Sequence, residues 1–213
     1  MATLELRDVS KSYGRKSVLA DVTLDVEPGL CLLTGPSGAG KSTLLRLIAT
    51  AEKPSGGAIR WDGAPVARSR TALRRTLGYA PQAVDLPDDL TARQFALHMA
   101  ALKGLDQGAA DAQFGAITAA IGLHDDINNR IATFSGGMRR RLVFAQALLG
   151  APRLLALDEP TAELDGETAR RLGALILERA RTAVVVMTTH LSEELAPEAR
   201  VVLRVENGRV SAV

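Results

Sequence analysis

Cysteine is almost missing from these 213 residues: Cys31 stands alone, inside the apolar run Leu30–Thr34. A single thiol rules out a disulfide framework and fits a reducing compartment, with Cys31 itself read as a small buried hydrophobe. Long hydrophobic runs are missing as well, since no window approaches the roughly 18 apolar residues of a membrane-spanning helix. The first residues carry Glu5, Arg7 and Asp8 where a cleaved leader needs an apolar stretch. The expectation is a cytoplasmic chain that does not itself cross a membrane. Charge of one sign is also lacking: 26 basic against 24 acidic residues leave a net +2, and the basic residues are scattered, so no nucleic-acid partner is expected. Histidine is rare, and no His/Cys group has metal-ligand spacing. Lysine is scarce too, with five against 21 arginines, and aromatics make up only 3%, so the place of each is informative.

What is present is the composition of a soluble domain, 46% apolar and 23% charged, which excludes disordered and fibrous classes and suffices for one sizeable core. Residues 3–9 and 18–26 read as strands, and Leu30–Thr34 as a short apolar strand that runs into a glycine-rich turn. Lys41–Thr50 has helical spacing. The segment AIRWDG reads as strand and turn, and 77–81 as another strand. From about 85 to 135 there is no strand signal. Thr91 and Gln94 form a capping box, Gly104 a helix stop, and a second helix is predicted over about 109–121. With the helix that follows Ser135, this makes a helical lobe of approximately 85–150 inserted into an α/β core. Leu154–Leu157 and Ala183–Met187, separated by a helix over about 167–180, are apolar enough for strands buried on both faces of a parallel sheet. Near the end, VVLRV, Asn207-Gly208 and RVSAV spell a hairpin.

Three motifs carry chemistry. Gly35-Pro36-Ser37-Gly38-Ala39-Gly40-Lys41-Ser42-Thr43 fits G-x-x-x-x-G-K-[ST] between a predicted strand and a predicted helix. Its glycines let successive N–H groups and a helix N-terminus face phosphates, Lys41 adds a point charge for the β- and γ-phosphates, and the Ser42 hydroxyl suits Mg²⁺. The ligand is a nucleoside triphosphate. The second motif ends the apolar run Leu154–Leu157 in Asp158 and Glu159, at the end of a parallel strand where open α/β sheets place ligands. Asp158 would hold Mg²⁺, and Glu159, on the other side of the chain, would polarise an attacking water. The third is Ser135-Gly136-Gly137-Met138, a capped helix start that is itself an anion site.

The order of these motifs, followed by a strand ending in His190, resembles the nucleotide-binding subunits of ABC transporters, and the resemblance covers nearly the whole chain. It implies an α/β P-loop NTPase core with an N-terminal antiparallel β-subdomain and an inserted helical subdomain, all within 1–213. It further implies hydrolysis of ATP with Mg²⁺ at sites shared by two subunits head to tail, so that Ser135, Gly136 and Gly137 contact the γ-phosphate bound to a partner chain. The partner would be a second ATP-binding subunit, in a homodimer or heterodimer. By the same resemblance Tyr13 stacks on adenine, Gln82 reaches Mg²⁺ or the lytic water, and His190 contacts the γ-phosphate and helps position Glu159. Asp165 would cross the dimer interface. The work would be passed to transmembrane permease subunits, with this chain peripheral at the cytoplasmic face.

Two positions depart from the family's usual pattern. Glu163 stands where a small residue or glycine is more common. Met138 stands where the most familiar signature has glutamine, and SGGM followed by RRRL resembles a branch that works with export-type membrane subunits, as does the segment LPDDLTARQFALHMAALKG. The triplet Arg139, Arg140, Arg141 projects in three directions on a helix and reads equally as a solvated collar or a contact surface. A non-transport ABC ATPase acting on a macromolecular complex is the alternative function.

Overall fold

The computed structural model describes residues 3–83, 85–189 and 195–213. An antiparallel sheet opens the chain: β1 (Leu4–Tyr13), β2 (Lys16–Val26), β4 (Gly56–Trp61) and the short β5 (Ala64–Pro65), in the order β2-β1-β4-β5. Between β2 and β4 the chain leaves for a second sheet through β3 (Gly29–Thr34) and α1 (Lys41–Ile48). After β5 come α2 (Val66–Arg75) and β6 (Leu77–Ala80), then α3 (Ala92–Lys103), α4 (Gln107–Ala120) and α5 (Gly136–Leu148). The chain finishes with β7 (Leu154–Asp158), α6 (Gly166–Ala180), β8 (Val184–Thr188), β9 (Val201–Glu206) and β10 (Arg209–Ala212).

The second sheet has the order β10-β9-β3-β8-β7-β6, parallel except for the β9–β10 hairpin. Its central strands alternate between two cores. Leu30, Leu32, Leu155, Leu157, Val185 and Met187 face the core shared with the residue 85–150 helices and α6. Cys31, Leu33, Leu154, Ala156, Val184 and Val186 face the one shared with α1 and the antiparallel sheet. Each of these side chains is at most 1% exposed, and burying a large one contributes about 1.5–3 kcal/mol. Burial also pushes the Cys31 thiol up to about 12, so it stays protonated as an apolar filler.

Local signals position the elements. Thr91 Oγ1 accepts the Gln94 N–H at 3.1 Å while Gln94 Oε1 accepts the Thr91 N–H at 2.9 Å, and Gly104 ends α3 at φ 76°. The β9–β10 turn has positive φ at both Asn207 (50°) and Gly208 (76°), the geometry of a two-residue hairpin turn. The Gly208 carbonyl accepts the Ala20 N–H at 2.8 Å, which ties the hairpin to β2. Between β6 and β7 the described residues hold helices and 3-10 turns and no strand.

Three features depart from the sequence reading. β1 extends to Tyr13 instead of ending near residue 9, carried by register shifts against β2. α1 stops at Ile48, with Thr50 in the left-handed region at φ 57°. Helix α2 had no counterpart in the reading. Only Val66 and Leu73 of its ten residues are buried, too few for a periodic apolar stripe, and Arg74 holds it by donating to Thr50 Oγ1 and Thr50 O, both at 3.0 Å.

Candidate nucleotide-binding site

β3, buried on both faces, delivers the chain to the glycine-rich loop on a rigid axis. Gly35 turns at φ 129°, and a Cβ there would stand 2.1 Å from the Val205 carbonyl oxygen, so only glycine fits against β9. Gly40, at φ 109°, is the N-cap of α1, whose first N–H groups therefore open toward the loop. Lys41 Nζ donates to Gly35 O at 2.7 Å and Pro36 O at 3.0 Å. Those carbonyls keep the ammonium inside the loop.

Across the loop, at the C-terminal ends of β7 and β8, lie Asp158 and Glu159, both buried. One side chain organises them. Thr188 Oγ1 donates to Asp158 Oδ1 at 2.6 Å and accepts the Glu159 N–H at 2.9 Å. Glu159 sits at φ 51°, a left-handed conformation that costs a residue with a Cβ about 1–3 kcal/mol and persists only where neighbours hold it. Its N–H also donates to Thr188 O at 3.2 Å, and its carbonyl accepts the Ala162 N–H at 3.2 Å and Arg140 Nη1 at 2.9 Å.

Loop and carboxylates border one cavity of about 720 Å³. Of the residues singled out from the sequence, Tyr13, Gly35, Ser37, Gly38, Gly40, Lys41, Ser42, Thr43, Gln82, Asp158 and Glu159 line it. Pro36 and Ala39 do not, and serve the loop's shape: Pro36 O accepts the Ala39 N–H at 3.2 Å. Lys16, Val18, Thr34, Arg46 and Thr189 join the lining without having been foreseen. Lys16 and Arg46 add positively charged side chains to the lining.

At the cavity's edge Tyr13 is 42% exposed. Its hydroxyl donates to Glu52 at 2.6 Å, and Lys11 Nζ lies 4.8 Å from its ring centre. Burial pushes Glu52 upward, but the Tyr13 hydroxyl, Lys11 and Arg46 outweigh it and hold the carboxyl below its usual range. The ring is thus fixed in position as a flat platform.

Ser135, Gly136 and Gly137 are absent from this cavity's lining. Ser135 caps α5, its hydroxyl accepting the Met138 N–H at 3.3 Å. Asp165 is also off the cavity, as the N-cap of α6: it accepts from the Thr168 N–H at 2.9 Å, the Thr168 hydroxyl at 2.7 Å and the Glu167 N–H at 3.1 Å. The Thr168 bonds hold its carboxyl below the usual range. His190 lies outside the described residues.

The arginine triplet is not a solvated collar. Arg139 pairs with Asp88 at 2.7 Å, Arg140 reaches Glu159 and Glu163, and Arg141 donates to Gly122 O at 2.6 Å and Ile121 O at 3.3 Å. Each arginine fastens α5 to a different neighbour.

Among the described residues, no group of three or more His, Cys, Asp or Glu could cage a metal. Ser42, Gln82 and Asp158 instead offer a hydroxyl, an amide oxygen and a carboxylate among the residues that line the cavity. Hard oxygen donors this few suit Mg²⁺, which keeps part of its shell for phosphates and water.

The profile of the ABC transporter family matches residues 19–162. The Nod factor export ATP-binding protein I of Rhizobium etli is 36% identical over 91% of this chain and 62% of its own length. The protein of the same name from Paraburkholderia xenovorans is 35% identical over 98% and 69%. The chain therefore spans about two thirds of these relatives. Among solved structures, the ATP-binding subunit of an ABC transporter superposes with a TM-score of 0.88 at 29% identity, covering 99% of this chain and 89% of the other. A bacterial Atm1-family ABC exporter with ATP bound superposes with a TM-score of 0.83 at 26% identity, covering 98% and 38%.

Proposed function

The chain belongs to the ABC transporter family, and from that premise we infer that it binds and hydrolyses ATP to drive a separate membrane subunit, in an exporter. The observation that carries this reading is the division of the motifs in space. Lys41, Ser42, Gln82, Asp158 and Glu159 border one cavity, while the second phosphate-type helix start, at Ser135, lies off it. A chain whose loop cavity is bordered by one such helix start and not by the other is completed by another subunit: α5 of the partner closes over the nucleotide, and Ser135, Gly136 and Gly137 meet its γ-phosphate. The partner is a second copy or a related ATP-binding subunit.

In this arrangement Tyr13 carries the adenine. The loop N–H groups and Lys41 hold the β- and γ-phosphates and neutralise charge as the phosphoryl group is transferred. Ser42, Gln82 and Asp158 would hold Mg²⁺, which when bound neutralises charge on the phosphate oxygens. Glu159 accepts a proton from the water that attacks the γ-phosphate, and His190 contacts the transferred group. Asp165 crosses the interface from the start of α6. ATP drives the partner because the contacts of Ser135, Gly136 and Gly137 with its γ-phosphate exist only in the closed dimer, and a ligand shifts an equilibrium by its difference in affinity for the two states.

Among the described residues, no helix is long and apolar enough to cross a membrane. Transmembrane permease subunits at the cytoplasmic face are the natural recipients of the motion, and export accords with the names of the relatives. Glu159→Gln tests the reading: phosphate release falls about 100-fold or more while ATP still binds, and a dimer persists in sizing experiments with MgATP. A variant that remains monomeric under saturating MgATP would sink the head-to-tail arrangement.

A further inference from the structure

One arginine of α5 bonds the backbone of a site residue held in the left-handed region. Arg140 is largely buried, its side chain 17% exposed, and Nη1 donates to the Glu159 carbonyl oxygen at 2.9 Å. Its other arm, Nη2, lies 3.5 Å from Glu163 Oε1. Glu159 occupies φ 51° and is gripped on both peptide groups: Thr188 takes its N–H, and the Ala162 N–H and Arg140 share its carbonyl. Thr188 and Ala162 come from the same core as Glu159. Arg140 alone of the three arrives from the helix that begins at Ser135-Gly136-Gly137, a turn away along α5.

We propose that Arg140 is a positioning residue that couples the start of α5 to Glu159 of the same chain. It holds the left-handed turn that aims the Glu159 carboxylate, and it releases or tightens that turn as α5 shifts. The inference rests on the reading of Glu159 as the general base and extends it. Within a dimer, α5 of one chain meets the nucleotide bound by its partner, whereas Glu159 of that chain serves the nucleotide bound by its own loop. A rigid guanidinium bridge between them lets occupancy of one site set the geometry of the other. Arginine suits the task because its planar fork can bond a carbonyl with one arm and a carboxylate with the other.

Two measurements on the full chain test this. In the first, steady-state phosphate release with MgATP, Arg140→Ala is expected to lower kcat about 10-fold or more, as misplacement by about an ångström does. KM and the affinity for a fluorescent ATP analogue should stay within about 2-fold. Arg140→Lys, which keeps a donor for the carbonyl, should recover part of kcat. Glu163→Gln leaves the Glu159 bond in place and should change kcat less than about 2-fold. A rise in KM and loss of nucleotide affinity in step with kcat would indicate a merely structural role and overturn the proposal.

The second measurement needs no turnover. Hydrogen exchange at the amides of Glu159 and Ala162 should quicken about 10-fold in Arg140→Ala and less in Arg140→Lys, with the β3 and β8 amides unchanged. Wild-type exchange at residues 158–165 in both variants overturns the proposal. Turnover retained in Glu159→Gln would instead refute the general-base reading, with the exchange result still deciding whether Arg140 holds the turn.

Discussion

Thr188 gives the sharpest test of how the carboxylate pair is held. Thr188→Val keeps the shape and replaces the hydroxyl with a methyl at a position 1% exposed. Two bonds are lost with it, the 2.6 Å donation to Asp158 Oδ1 and the 2.9 Å acceptance from the Glu159 N–H. A hydrogen bond to a charged group contributes about 1.5–3 kcal/mol. The Glu159 N–H retains the Thr188 carbonyl at 3.2 Å, so its share of the loss is smaller, about 0.5–1 kcal/mol. The sum is about 3 kcal/mol. At about 2–4 °C per kcal/mol for a chain of this size, thermal unfolding should fall by about 6–12 °C. Thr188→Ser, which keeps the hydroxyl and loses one buried methyl, should fall by only about a third as much. Urea unfolding of both variants beside wild type checks the ledger. A Thr188→Val protein within about 0.5 kcal/mol of wild type would mean that Asp158 and Glu159 do not depend on this hydroxyl, and the account of their geometry would fail.

Glycines at two sites should separate crowding from backbone conformation. A Cβ on Gly78 would stand 2.1 Å from the Ala147 carbonyl oxygen and 2.5 Å from Leu155 Cδ2, so Gly78→Ala must push β6 and α5 apart and lose about 3 kcal/mol or more in urea unfolding. Gly38 has open space but φ 76°, so Gly38→Ala should lose only about 1–2 kcal/mol, and equal losses in the two would contradict this reading. Lys103 supplies a pH test: burial pulls its ammonium down to about 8 from an ordinary 10.5, while its Nζ donates to Leu149 O at 2.9 Å. Because the unfolded chain binds that proton more tightly, stability should rise from about pH 8 to about pH 10.5, by at most about 3 kcal/mol. In Lys103→Met the rise from this group should vanish, and an unchanged pH profile would place the lysine outside the titration.

Features written in short-range code were legible before the fold was known. The strand that runs into a glycine-rich loop and helix, the Thr91–Gln94 capping box and the Asn207-Gly208 turn are each specified by residues within a few positions of one another, and each stands in the structure. The candidate cavity was legible in part, since about half of its wall comes from the loop after β3, the first turn of α1 and the end of β7. What escaped was set by contacts between distant residues. Thr188 reads as one more β-branched residue in a buried strand, and its partners Asp158 and Glu159 lie about 30 positions upstream. Helix α2 escaped because it is held by Arg74, which bonds Thr50 just beyond α1, and not by an apolar stripe.

Glu163 shows the same limit from the other side. On sequence grounds it was an odd residue in a loop where the resembled family prefers something small, and the structure supplies the reason for that preference. Residue 163 is at φ 62°, in the left-handed region that glycine enters freely and a residue with a Cβ enters at a cost of about 1–2 kcal/mol. What this chain has in exchange is a carboxylate within reach of Arg140, 23 residues away, on the arm not bonded to Glu159. A glycine at 163 would relax the turn yet leave that arm without this acceptor. Since Glu163 is 70% exposed, the pair adds little to stability by itself. What the contact does is place Glu163 beside the guanidinium that bonds the Glu159 carbonyl, a proximity that no local spacing could have shown.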